Sequence, residues 1–350
     1  MNKKKLSFSI FIAIIIISSL SIIIFNRKEE KYSATYYSLG TVNEITLYDI
    51  NKNKGDKILK NCESLLNDVH NKMSRQVSSS EISEINDNAG IKYIKVSAET
   101  YNIIKESIQF SSMSNGNFDI SIGPITDLWG IGSDNAKIPT NEEINENLSL
   151  VNYKDILFND ENNSIKLCNK NMKIDLGGIA KGYAADKIYK YLYEDENLSS
   201  ALINLGGNIY VLGSKINNQP FSIGIQDPTM PRGNSIGNIK VSNKSVVTSG
   251  IYERYIEGDN KIYHHMIDPH TGYPFENNLN SVTIVSDTSM IGDALSTTIF
   301  GLGLEDGLKL IEKLKGVDAI FITKDKEIYL SSNIKDEFNL TDESFIIVNK

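Results

Sequence analysis

Cysteine is almost missing from this chain. Two residues, Cys62 and Cys168, among 350 leave no disulfide framework, and a domain of this size needs none even when exported. Cys62 falls on the apolar stripe of a helix-like segment and Cys168 in a strand-like run, so both read as small core residues rather than a redox pair or metal ligands. Clustered positive charge is missing too. The formal net charge is -8, and Lys and Arg are scattered except where two groups flank an N-terminal apolar run. A phosphate backbone demands concentrated cations, which excludes a nucleic-acid partner. Neither a Walker loop nor a G-x-G-x-x-G fingerprint is present. Histidine occurs four times and tryptophan once, so their positions carry weight.

The apolar run is Leu6 to Phe25, rich in Ile and preceded by Lys3, Lys4 and Lys5. About 20 residues just span a bilayer core as a helix. A basic start keeps the N-terminus in the cytoplasm and sends the rest of the chain out. A cleaved signal has a shorter apolar region and a small-x-small site, which Ile22 to Phe25 does not offer. No Cys follows the run to carry a lipid. The expected organisation is a membrane anchor or signal segment over 1–27, a polar linker over 28–37, a folded domain over 38–335 and a C-terminal tail over 336–350. The polar, Asn-rich stretch 133–163 reads as a surface excursion carrying a short helix.

Hydrophobic periodicity places an amphipathic helix over 56–73, where Ile58, Leu59, Cys62, Leu65, Leu66 and Val69 follow the helical period. Ser78 and Glu81 suggest a capping box for a short helix through Ile85, and Ser97 caps a helix to about Ser112. A glycine-punctuated loop is expected over 115–132. After an early strand at 44–50, the second half is strand-rich: 164–168, 201–204, 209–213, 221–226, 236–241, 245–248, 252–257, 262–267, 281–285, 319–323 and 327–331 all read as strands. Helices are expected over 179–193, 288–301 and 305–315. Strands in runs, rather than in strict alternation with helices, point to an α+β fold over a doubly wound parallel sheet.

Three of the four histidines lie in His264-His265-Met266-Ile267-Asp268-Pro269-His270-Thr271-Gly272. His265 is the acid–base candidate, because neutral imidazole takes a proton near neutral pH. Asp268 could orient it or brace the turn. His264, on the opposite strand face, reads as structural or exposed, and His270 and His70 as exposed. Asp293 and Thr297 are four apart, which on a helix puts both oxygens on one face. Hard oxygen ligands suit Mg2+, which binds through one or two carboxylates plus substrate phosphates. Taken singly, the two residues also fit a helix-dipole aspartate and a back-bonded threonine. Asp175-Leu-Gly-Gly-Ile-Ala-Lys181 joins a strand to a helix, where Gly177 and Gly178 permit close backbone approach and the helix N-terminus offers N–H groups to a phosphate. Asn204-Leu-Gly-Gly echoes it, and the two turns could line one cleft. Phe118, Asp119 and Trp129 share a loop-like segment that could hold a flat ring, or equally a core aromatic with a capping Asp.

In series, these segments resemble the FAD:protein FMN transferase family, the ApbE proteins. The matching pieces are Leu39-Gly-Thr, Phe118-Asp-Ile-Ser-Ile-Gly-Pro with Leu128-Trp-Gly, Asp175-Leu-Gly-Gly-Ile-Ala-Lys-Gly-Tyr-Ala, Asn204-Leu-Gly-Gly-Asn, Thr248-Ser-Gly with Tyr252-Glu-Arg-Tyr, His265-x-Ile-Asp-Pro-x-Thr-Gly and Asp293-Ala-x-Ser-Thr. They stand in family order across about residues 36 to 335. The resemblance implies mixed, largely antiparallel sheets with packed helices. It also implies an enzyme, anchored or exported, that splits FAD and attaches FMN to a threonine or serine of an acceptor protein, releasing AMP. Mg2+ would be held by Asp293, Thr297 and the Ala180 carbonyl. Leu39, Phe118, Asp119, Asp175, Gly177 and Ile267 would contact FAD, with Gly178 and Lys181 beside its phosphates, and His265, flanked by Asp268, would serve catalysis. A membrane redox complex would be a fitting acceptor. An Mg2+-dependent FAD pyrophosphatase and a non-catalytic flavin-binding surface protein are the alternatives. Two departures stand out: Leu39 replaces a Met common in relatives, and Arg75-Gln76 stands where an aromatic is common. The chain carries no acceptor sequence of its own, so it would modify another protein.

Overall fold

A computed structural model describes residues 31–215, 218–258 and 261–348. The apolar run over 6–25 lies outside them. Among the described residues no helix is long and apolar enough to cross a membrane.

Within the expected linker, the described residues 31–37 form a strand instead. β1 (Lys31–Ser38) pairs antiparallel with β2 (Thr41–Tyr48) through a tight turn at Leu39 and Gly40, whose φ values are 54° and 69°. Two left-handed residues match the twist of a hairpin. Tyr32, Ala34 and Tyr36 alternate inward onto α1 (Lys52–Met73), where the Tyr36 hydroxyl donates to the Leu59 carbonyl at 2.7 Å. The Asn51 side chain caps α1, and Ile58, Leu59, Cys62, Leu66, Val69 and Met73 form its buried stripe. Ser80, not Ser78, caps α2 (Glu81–Asp87). Glu81 does not close a box there; its carboxylate accepts from the backbone and hydroxyl of Ser97, both at 2.8 Å. A short strand, β3 (Ile94–Lys95), follows, and Ser97 caps α3 (Ala98–Met113) as expected. The expected loop over 115–132 contains a helix, α4 (Gly123–Trp129), started by Pro124.

The Asn-rich stretch is more than a surface excursion. α5 (Asn141–Leu148) buries Ile144 against Ile125 and Trp129, and β4 (Ile156–Asn159) pairs with β5 (Ser164–Leu167), which also pairs with β3. Then come α6 (Ala180–Lys190), β6 (Ser200–Leu205), β7 (Asn208–Gly213), β8 (Phe221–Gln226), β9 (Ser235–Val241), β10 (Ser245–Gly250), β11 (Tyr255–Gly258), β12 (Lys261–His264), β13 (Leu279–Ser286), α7 (Ser289–Ile311), β14 (Val317–Thr323) and β15 (Glu327–Leu330). The two helices expected after 288 are one run, broken at Gly303 where φ is 75°. The supposed tail is also part of the fold. β16 (Phe338–Leu340) pairs with β9, and β17 (Ile346–Ile347) runs parallel to β15.

The main sheet has nine strands among the described residues, in the order β1-β2-β6-β7-β10-β13-β14-β15-β17, antiparallel except at its last pair. The α+β architecture of mixed, largely antiparallel sheets is therefore present. Alternation along the central strands feeds two cores. Val282, Ile284, Ala319 and Phe321 face the helices, while Val285, Ile320 and Ile322 face the β16-β9-β8 sheet. Every residue of β13 is buried as a result. α6 and α7 cross so closely that a Cβ at Gly182 would stand 2.4 Å from the Ser289 carbonyl oxygen. The Asp186 carboxylate on α6 accepts from Ser289 N (2.6 Å) and Met290 N (3.0 Å), capping α7 from outside.

Candidate active site

One cleft of about 740 Å³ opens over the C-terminal end of α1, the β1–β2 turn, the start of α6 and the near face of α7. Both Gly-Gly turns reach it, through Gly177, Gly178 and Gly206. Leu39, Phe118, Asp119, Asp175, Ala180, Lys181, His265, Ile267, Asp293 and Thr297 line it as well. Of the residues expected in the site, Asp268 alone lies outside. It borders a smaller cavity of about 530 Å³. Its carboxylate accepts from His270 N at 2.9 Å and Thr271 Oγ1 at 3.0 Å, and Gly272 N donates to its carbonyl. Contrary to the catalytic role expected of it, Asp268 braces the turn and does not orient His265.

His265 is fixed by a different group. Its backbone N–H (3.0 Å) and its Nδ1 (3.2 Å) both meet the Arg254 carbonyl. A carbonyl only accepts, so Nδ1 carries the proton and Nε2 is the basic nitrogen. Burial, then the nearby Arg254 and Lys181 charges, push its pKa down to about 4. The ring is therefore neutral at physiological pH. His264 is buried edge-on to Phe300, with Nε2 donating to the Phe275 carbonyl at 3.1 Å and Nδ1 unpartnered. Burial lowers it also to about 4. A histidine depressed below its ordinary 6.5 contributes stability that is complete above pH 6.5 and is lost as pH falls toward 4, because the unfolded chain binds the proton first. Denaturant unfolding between pH 7 and 4.5 should show that loss, and His264→Leu should flatten it; an equally steep decline in the variant would contradict the assignment. His70, expected to be exposed, is partly buried behind the β1–β2 turn, where Leu39 N approaches its Nδ1 at 3.4 Å.

Asp293 is 4 % exposed. Its Oδ2 accepts from Gly182 N at 2.9 Å, and its Oδ1 faces Lys181 Nζ at 3.4 Å. Thr297 lies one turn further along α7, with Ser249 Oγ at 3.4 Å. A side chain at Gly178 would fill the space between them and the aromatic wall: a Cβ there would lie 3.1 Å from Phe118 Cε2 and 3.7 Å from Thr297 Oγ1. Among the described residues no three His, Cys, Asp or Glu side chains cluster to hold a metal. A cation at Asp293 would therefore draw on hydroxyl, carbonyl and substrate oxygens. The Asp293 carboxylate, the Thr297 hydroxyl and the Ala180 carbonyl all line the cleft, and together they would offer oxygen ligands of the kind Mg2+ takes.

Three residues expected around the ligand, Asp119, Trp129 and Asp175, have structural duties. Buried Asp119 accepts from Ser121 N (2.8 Å), Ser121 Oγ (2.6 Å) and Tyr153 N (2.9 Å), and burial raises its pKa. Trp129 is core, with Nε1 donating to the Gly272 carbonyl at 2.8 Å. Asp175 Oδ1 accepts from Gly177 N at 2.8 Å, fixing the Gly-Gly turn, and its Oδ2 accepts from Thr126 Oγ1 (3.1 Å) and pairs with Arg75 (2.9 Å). Arg75 also pairs with Asp127, whose other oxygen takes Lys173 at 2.5 Å. Sequence reasoning flagged Arg75 only as a departure and missed this network; its one clue was a cation at a position usually aromatic. Arg75→Ala would leave Asp127 and Asp175 short of a partner. The expected cost is about 2 kcal/mol, below the fully buried range because the cluster is partly exposed. A urea midpoint lowered at constant slope would show it; an unchanged midpoint would mean the cluster contributes nothing.

Comparison with known proteins finds relatives in both sequence and structure. A profile described as the ApbE family matches residues 39–321. The FAD:protein FMN transferase of Klebsiella pneumoniae (strain 342) is 37% identical over 270 residues, covering 77% of this chain and 83% of that protein. The FAD:protein FMN transferase of Treponema pallidum (strain Nichols) is 32% identical over 333 residues, 91% of each chain. The crystal structure of the ApbE protein from Thermotoga maritima superposes with a TM-score of 0.80 at 33% identity, covering 88% of this chain and 99% of that one.

Proposed function

Because the chain belongs to the ApbE family, we propose that it is a FAD:protein FMN transferase, moving FMN from FAD to a threonine or serine hydroxyl of an acceptor protein and releasing AMP. The observation that carries this reading is the meeting, in one cleft, of the Gly177-Gly178 turn, the buried Asp293 carboxylate with Thr297 on the same helix, and a neutral histidine.

The acceptor hydroxyl attacks the flavin-side phosphorus. A new P–O ester bond forms, the bridging P–O bond breaks, and AMP leaves with the electron pair. His265 Nε2 takes the hydroxyl proton. The start of α6 and Lys181 hold the phosphates, which is most of what phosphoryl transfer requires of a protein. Leu39, Phe118 and Ile267 supply apolar surface for the ring systems. Asp175 acts by holding the turn at Gly177. When bound at Asp293, Thr297 and the Ala180 carbonyl, Mg2+ supplies charge neutralisation at the pyrophosphate.

The apolar run behind three lysines supports an anchored enzyme with its catalytic domain outside the cytoplasm, where a membrane redox complex is a suitable acceptor. Incubation with FAD and Mg2+, with and without a threonine-bearing acceptor, tests the activity. AMP release that depends on the acceptor is expected. Equal release of AMP and free FMN in both arms would make the protein a pyrophosphatase, and FAD left intact for hours would make it a binder.

A further inference from the structure

We infer that Lys181 is an exchangeable counter-ion: its ammonium and a divalent cation compete for one oxygen of Asp293, so a cation arriving there releases Lys181 to the phosphates of the dinucleotide. This rests on the metal reading above and adds a linkage between metal and nucleotide.

The two oxygens of Asp293 are not equivalent. Oδ2 is committed to Gly182 N at 2.9 Å. Oδ1 has no backbone donor and faces the Lys181 ammonium at 3.4 Å. That contact is longer than a charge-assisted hydrogen bond of about 2.7–2.9 Å. Lys181 lies nearer the Gly177 carbonyl, at 3.1 Å. Two other partly buried lysines, Lys187 and Lys173, are held more firmly. Lys187 reaches Asp68 and Glu99 at 2.7 Å each, and Lys173 reaches Asp127 at 2.5 Å. Lys181 is thus loosely tied, 27% exposed, on a flexible stem and at the cleft wall.

A cation on Oδ1 at the Mg2+ coordination distance of about 2.0–2.1 Å would share a buried carboxylate with an ammonium. One carboxylate neutralises one charge, and the second cation is repelled strongly where solvent is scarce. The ammonium then turns toward the next available anion in the cleft, which is phosphate. Metal and Lys181 exclude each other on Asp293 and favour the same ligand, so metal and nucleotide binding are coupled through this side chain.

The test is Mg2+ titration of the full-length protein without FAD, read by thermal unfolding or calorimetry, together with FAD affinity measured in Mg2+ and in EDTA. Lys181→Met should lower the half-saturating Mg2+ concentration about fivefold or more and weaken FAD binding more in Mg2+ than in EDTA. Lys181→Gln, which keeps a donor for the Gly177 carbonyl, should do the same and guards against misfolding of the Met variant. Lys181→Arg, which keeps the charge, should stay near wild type for Mg2+. If both neutral variants need as much Mg2+ as wild type or more, while Asp293→Ala loses Mg2+ binding, the exchange is overturned and the metal site stands. If Asp293→Ala binds Mg2+ like wild type, the metal site falls and the exchange with it.

Discussion

Asp293→Asn should reduce FMN transfer by about a thousandfold, the equivalent of about 4 kcal/mol of lost charge stabilisation. The amide keeps an oxygen for Gly182 N, so the α6–α7 junction survives while the charge at the cation site is removed. Asp293→Ala should lose as much activity and also some stability, because Gly182 N is left without its partner at a cost of about 1–3 kcal/mol. Initial rates at saturating FAD across a Mg2+ range, beside thermal unfolding of each variant, separate the two effects. Unchanged turnover in Asp293→Asn would refute the metal assignment.

His265→Ala should slow transfer by about 10²- to 10⁴-fold, the usual worth of a positioned base, with FAD affinity nearly unchanged. The ring reaches the cleft from a backbone carbonyl that fixes its tautomer, not from a carboxylate. With its pKa near 4, the wild-type rate should hold steady from neutral pH down to about 5.5 and fall below that as Nε2 becomes protonated. An acid limb centred near the ordinary 6.5, or equal losses of rate and FAD affinity in the variant, would instead give His265 a structural role.

Local signals in the sequence were sufficient for much of this molecule. The stripe from Ile58 to Val69 and the Ser97 cap each depend on neighbours within a few residues, and both helices formed where expected. The spacing of Asp293 and Thr297 likewise survives folding, because a helix keeps i and i+4 on one face. Features that depend on distant partners were not legible. β1 carries a period of two in Tyr32, Ala34 and Tyr36, but its inward face exists only because α1 packs there. β16 is three residues that become a strand by pairing with β9, far upstream. Arg75 gains its role from Asp127 and Asp175, which no local pattern connects to it. Asp268 fails the other way: three residues from His265 in sequence, it turns its carboxylate into its own loop. Nearness along the chain says little about facing once a strand gives way to a turn.

The most direct measurement is mass spectrometry of an acceptor polypeptide after incubation with the enzyme, FAD and Mg2+. FMN transfer predicts one FMN attached as a phosphoester to a single threonine or serine, one AMP released per label, and no label when that residue is replaced by valine. An unlabelled acceptor accompanied by free FMN and AMP would contradict it.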